Sequence, residues 1–305
     1  MSKSIKNFRL SICIIILLNS SIYGTAQSAY QYLDSASVAY CRGNIRHSIV
    51  YLEQFIKKFP ESVLIDEVKF RVGELYQELR DYSNAILTLK SVLTLKEKNS
   101  EKSYEDFDEG IKYQPDFGAI ILYFGEYRCP AIVKSEGLKA LKYKACAELY
   151  EIYLHKQEFD SSIYYLNIAN RNFFPNTGCG NGNAIIETQI ALKFADVYLL
   201  KADTIGAIKH LFPVFFYQEG RICENARDLL GDLLKKSYSK ERRNQILDQA
   251  ISKVRLLKTV HDGEVYYEPY FSIFDTELNL WGENNRTVEE FQSWLRTNPY
   301  LQKLR

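Results

Sequence analysis

The side chains able to do chemistry are few and scattered. Four histidines, His47, His155, His210 and His261, lie far apart in the chain. None stands at metal-ligand spacing from Cys, Asp or Glu. No Gly-x-Ser-x-Gly elbow occurs, and no cysteine–histidine pair follows from position. The acidic stretch Asp106, Asp108, Glu109 reads as a solvated loop rather than a glycosidase pair. The Gly- and Asn-rich segment 173–182 has the composition of a phosphate cradle, but no lysine sits at the required spacing and no strand precedes it. It reads as a long connection whose glycines visit positive φ. The expectation is a protein that is not an enzyme and needs no metal or cofactor.

Two groupings would bind or crosslink rather than react. Tyr266, Tyr267, Tyr270, Phe271, Trp281 and Trp294 form an aromatic set that would either stack on sugar rings or pack a small terminal cap. Cys129 and Cys179 lie in turn-rich segments and form a candidate disulfide in an exported chain, with Cys179–Cys223 as its rival. Cys41 and Cys146 fall in helical patterns, where a buried free thiol is expected.

The elements that must carry these residues are helical. Only 15 of 305 residues are glycine and 7 are proline, so long helices with few turns are expected. A net charge of +1, with no basic run, sets nucleic acid aside as a partner. Lys3, Lys6 and Arg9 precede the apolar run Leu10–Leu18, and Gly24-Thr25-Ala26 then offers small residues for cleavage. This is the layout of a secretory signal peptide over 1–26. Its apolar run is roughly half of the ~20 residues a membrane-spanning helix needs. The expectation is a periplasmic or extracellular product with no integral membrane segment after cleavage.

A repeated phrase organises the rest. In 72–93, Gly73, Leu75 and Tyr76 line a first helix, Asp81-Tyr82 makes a turn, and Ala85, Leu89 and Val92 line a second. The pattern recurs with Ala36, Ala39, Ser48, Leu52 and Phe55, closed by Phe59-Pro60-Glu61-Ser62. It appears again with Leu149, Tyr150, Tyr153, Ser162, Leu166 and Ala169, and with Ala195, Tyr198, Ala207, Leu211 and Val214. A weaker fifth pair spans about 222–236 and 240–256, with Gly231 and Ala250 as its small residues. This resembles the tetratricopeptide repeat, two antiparallel helices with a period of about 34 residues, and the FPES junction resembles exported members from the Gram-negative cell envelope. The resemblance implies an all-α solenoid of four to five helix pairs over 27–256, each burying its apolar face on the next.

Residues 96–134 interrupt the rhythm as an insertion, with a helix expected where it turns apolar at 117–124. Residues 257–305 form a cap: a β-hairpin of 265–274 and 277–281, then a helix started by the capping box Thr287–Glu290. Pro269 is expected at an edge or bulge.

The resemblance also implies a concave groove lined by the first helix of each pair. Its residues would include Tyr30, Tyr40, Glu67, Phe70, Glu74, Gln77, Glu151, Leu192 and Asp196. Members that clamp a C-terminal carboxylate do so with lysine and asparagine. Here Glu74, Glu151 and Asp196 stand where asparagine would be needed, so a carboxylate is repelled. A protein or peptide with apolar anchors and basic residues suits the groove better. The expected function is an exported scaffold or adaptor; the alternative is a glycan-binding accessory protein using the aromatic tail.

Overall fold

The computed structural model describes residues 29–62, 64–96, 113–114, 119–120, 137–175, 177–217, 220–261, 264–279 and 287–305. Residues 1–26, where a signal peptide is expected, lie outside them. The described chain is mostly helical, with twelve α-helices and a small three-stranded antiparallel sheet. Its contacts form two compact units, Met1–Leu141 and Lys142–Arg305.

The first unit contains α1 (Ala29–Cys41), α2 (Ile45–Lys58), α3 (Ile65–Glu78), α4 (Tyr82–Leu93) and the two-residue strands β1 (Tyr113–Gln114) and β2 (Ala119–Ile120). α5 (Leu138–His155) crosses the boundary. The second unit continues with α6 (Phe159–Asn172), α7 (Gly180–Leu200), α8 (Thr204–Leu211), α9 (Gly220–Ser237) and α10 (Lys240–Ser252). It ends with β3 (Arg255–His261), β4 (Glu264–Ile273), β5 (Thr276–Asn279), α11 (Val288–Thr297) and α12 (Pro299–Leu304).

One turn is used four times. The α1–α2, α3–α4, α5–α6 and α7–α8 connections each carry a single residue at positive φ: Gly43 (74°), Arg80 (59°), Gln157 (59°) and Ala202 (58°). The next residue caps the second helix, and its N–H closes a wide loop back to Ala39, Tyr76, Tyr153 or Tyr198 at 2.8–2.9 Å. Glycine takes this conformation freely, whereas the other three residues pay of order 1 kcal/mol each. The caps Asn44, Asp81 and Asp203 accept a backbone N–H inside the following helix, worth about 1 kcal/mol apiece. Glu158 makes no such bond.

The packing repeats with the turn. One helical turn beyond each cap lies a small residue, Ser48, Ala85, Ser162 or Ala207, fully buried. A further turn on come Leu52, Leu89, Leu166 and Leu211, all buried, each contributing about 1.5–3 kcal/mol by leaving water. On the first helices Ala36, Gly73 and Ala195 occupy one equivalent position. A Cβ on Gly73 would fall 2.7 Å from Leu89 Cδ2, so glycine is what lets α3 and α4 approach. In the third pair the large Tyr150 takes that position, and the small Ser162 compensates by donating to the Tyr150 carbonyl at 3.1 Å. The fifth pair, α9–α10, keeps Gly231 and Leu247 in register and buried. It departs in having Arg243 where the others have a small residue, and no positive-φ residue in its turn. Arg243 instead donates to the carbonyls of Leu304, Tyr238 and Arg305 (2.8–3.3 Å), holding α12 in place.

Several expectations change. The described part of the insertion is not a helix near 117–124; Ala119–Ile120 pairs antiparallel with Tyr113–Gln114. The 173–182 connection is shorter than its composition suggests, because α7 begins at Gly180, and among its described residues only Gly178 takes positive φ (68°). The terminal sheet has a third strand, β3, ordered β3-β4-β5. β4 and β5 meet through Phe274 and Asp275, both at positive φ (48° and 59°), the requirement of a tight two-residue hairpin turn. Pro269 lies in the middle strand opposite Leu256, next to Tyr270, where the described pairing to β5 begins. Phe271, Ile273 and Leu278 bury the sheet's inner face in one core with Phe212, Phe291 and Leu295. Thr287 and Glu290 form both halves of the capping box of α11.

Candidate partner-binding faces

The first helices of each unit present polar residues whose identities repeat. In the first unit Arg71 of α3 reaches across to α1. Its guanidinium lies 4.7 Å from the Tyr40 ring centroid and bridges Glu74 at 3.1 Å and Glu78 at 3.3 Å. Tyr40 in turn donates to Glu78 at 3.4 Å. Arg71 is 16% exposed. Burial works against its charge, but Glu74 and Glu78 more than offset this and hold it firmly cationic. Beside this knot Glu67 and Phe70 are each only 6% exposed. Gln77 is half-buried, with an oxygen that finds no hydrogen-bond donor among the described residues. Tyr30 lies in the first turn of α1.

In the second unit Lys193 of α7 reaches across to α5. It lies 4.7 Å from the Tyr150 ring centroid and bridges Glu151 at 3.1 Å, with the two side chains 37% and 42% exposed. Leu192 is half-buried and packs at the edge of the core. Asp196 makes no ion pair among the described residues. Its carboxyl is raised above the ordinary aspartate value, first by burial and then by Glu151, with Lys193 only partly opposing. The same two carboxylates, after burial itself, push the Tyr150 hydroxyl upward. Two acids therefore share one lysine on an open face.

Arg71 and Lys193 occupy the same position relative to the capping aspartates Asp81 and Asp203, and Glu74 and Asp196 likewise. The structure brings Tyr40 and Glu74 to the same Arg71 guanidinium in one unit, and Glu151 into the field of Asp196 in the other. It also adds Arg71, Glu78, Tyr150 and Lys193. The signal for Arg71 and Lys193 was present as cations one turn before Glu74 and Asp196, at i and i+3, but such pairs are common on any solvated helix. Glu67 and Phe70 are buried rather than presented on a surface, because the α3 face that carries them is covered.

The cysteines depart from expectation. Cys179 is a free, exposed thiol and Cys223 a free, buried one, so neither pairing written for Cys179 is present; Cys129 lies outside the described residues. Cys41 is exposed and disulfide-bonded rather than a buried thiol. Cys146 is free and buried, its thiol pushed up to about 12 by burial. Cys223 lies 3.4 Å from the Thr188 hydroxyl.

The aromatic set does not form one platform. Phe271 is fully buried, and Trp294 packs on Phe216 and Phe291. Tyr270 sits under Arg255, and Tyr267 alone among those described is largely exposed (49%). Trp281 and the Tyr266 side chain lie outside the described residues. His210 is half-buried, stacked 4.2 Å from the Phe194 ring, and its pKa is lowered by burial. Among the described residues no group of His, Cys, Asp or Glu could hold a metal ion, and no helix is long and apolar enough to cross a membrane.

Comparison with models of known families finds none that matches, and comparison with curated proteins finds no match.

Proposed function

We propose that this chain is an exported, non-enzymatic scaffold or adaptor of the tetratricopeptide type, whose second unit captures a basic segment of another protein. The repeated turn, with its left-handed residue, cap, buried small residue and buried leucine, supports the helix-pair reading, and the basic-apolar-small layout of 1–26 supports export. The observation that carries the function is the imbalance at Glu151, Lys193 and Asp196. A carboxyl raised by burial and by a neighbouring acid sits in an unfavourable field. A lysine or arginine from a partner would relieve it, while half-buried Leu192 beside it supplies an apolar anchor.

Site-specific photocrosslinking tests this. A photoreactive phenylalanine analogue at Leu192, in the native cells, is expected to trap one protein partner. The adduct should disappear when Asp196→Lys is added and persist when Glu74→Lys is added instead. Trapping that survives Asp196→Lys would contradict the proposed site.

A further inference from the structure

The terminal sheet carries a feature that the groove does not use. β3 is an edge strand of seven residues, Arg255–His261, paired along its whole length to β4 on one side only. Among the described residues no hydrogen bond reaches the backbone of its outer edge. Such an edge is a template for another strand, and proteins ordinarily blunt it with proline, a bulge, several charges or a covering element. β3 has no proline and pairs with β4 residue for residue without a bulge, and of its two cations Arg255 is tied to Glu277 within the sheet, which leaves Lys258 as its one unbridged charge among the described residues. Val260 at its far end is 66% exposed, as is Tyr267 opposite Lys258 at 49%, so the hairpin extends apolar side chains beyond the core.

Charge decides what fits there. Lys258 stands at the centre of the strand, is exposed, and makes no ion pair among the described residues. Arg255 is already bridged to Glu277. If a second copy paired antiparallel over the full length, Lys258 would face its own counterpart and Arg255 would face His261. Like charges directly opposite one another destabilise a strand pair. A strand with an acidic residue at its middle and apolar or β-branched neighbours meets Lys258 with the opposite sign and covers Val260. We infer that β3 is a docking edge for an extended, acidic-centred segment of a protein partner, added as a fourth strand beside it. Main-chain bonds would supply the affinity, and Lys258 the choice of partner.

The test uses the full chain and a dye-labelled, end-capped nonapeptide of alternating threonine and valine with glutamate at its centre, read by fluorescence anisotropy. Saturable binding is expected, roughly fivefold tighter than for the same peptide with a central lysine. Lys258→Glu, an exposed change that leaves the circular dichroism intact, should reverse that preference. N-methylating the peptide at one set of alternate residues should abolish binding, while the intervening set is tolerated. Hydrogen exchange should slow within 255–261. Absence of binding, a preference unmoved by Lys258→Glu, or equal sensitivity at all N-methylated positions would overturn the inference. So would self-association that slows exchange in 255–261 without peptide, since it would assign the edge to a second copy.

Discussion

The polar first-helix faces of the two units are built from the same parts and end in opposite states. Each has a cation at one repeat position, an acid one helical turn later, a second carboxylate and a tyrosine beneath the cation. In the first unit the cation is arginine, whose planar fork serves two carboxylates while stacking on a ring. Arg71 therefore satisfies both Glu74 and Glu78 and lies nearly out of solvent. In the second unit the cation is lysine, a point charge that engages Glu151 and leaves Asp196 over. One face is a closed structural knot, and the other an open acidic site. Changing which cation stands at one position of a repeat is enough to leave one carboxylate without its ion pair among the described residues.

The comparison can be broken most severely in the closed face. Arg71→Ala strands two partly buried carboxylates and should cost about 2–3 kcal/mol in denaturant unfolding. Lys193→Ala, at an exposed pair, should cost under about 1 kcal/mol. Equal losses would mean the faces are not energetically distinct. Next, Gly73→Ala drives a methyl into Leu89 and should cost about 1–3 kcal/mol, again measured by unfolding, with little effect on partner capture. A pH series sharpens the open face with a smaller effect. Asp196 has a raised pKa in the folded chain, so its charge is present above that value and is lost as pH falls through it. Capture of a basic partner should weaken a few-fold over that fall, beginning at a higher pH than for an ordinary aspartate. The smallest effect concerns stability. A raised folded pKa contributes stability below the unfolded value that is lost as pH rises through the folded one. Asp196→Asn should therefore raise neutral-pH stability slightly, by less than about 1 kcal/mol after allowing for its exposure.

Much of this was legible in the sequence, and the remainder was hidden for identifiable reasons. Buried small residues and leucines recur at fixed offsets from polar turn residues, so the helix pairs can be read from Gly73, Ala85 and Leu89 alone. The same register places Glu74, Glu151 and Asp196 at equivalent positions of three first helices, α3, α5 and α7. What it cannot convey is which carboxylates are already paired. Arg71 and Lys193 look alike in sequence, and their difference appears only when Tyr40, Glu78 and Glu151 are brought alongside. Burial of Glu67 and Phe70 depends on tertiary cover that no local pattern records. β3 was missed because Arg255-Leu256-Leu257-Lys258 has no clean alternation and directly follows a helix; its strand character comes from pairing with β4. The lone thiol of Cys179 and the bonded Cys41 show that turn-rich context alone does not choose disulfide partners.

The most direct test of the central claim is capture of the photocrosslinked partner by three purified chains compared at one salt concentration: wild type, Glu74→Lys, and Glu151→Lys/Asp196→Lys. The account predicts that the second-unit double variant, still folded, loses at least about tenfold in affinity, while Glu74→Lys binds within about twofold of wild type. Equal losses in both, or a loss confined to Glu74→Lys, would contradict the assignment of an open receiving face to the second unit and a closed one to the first.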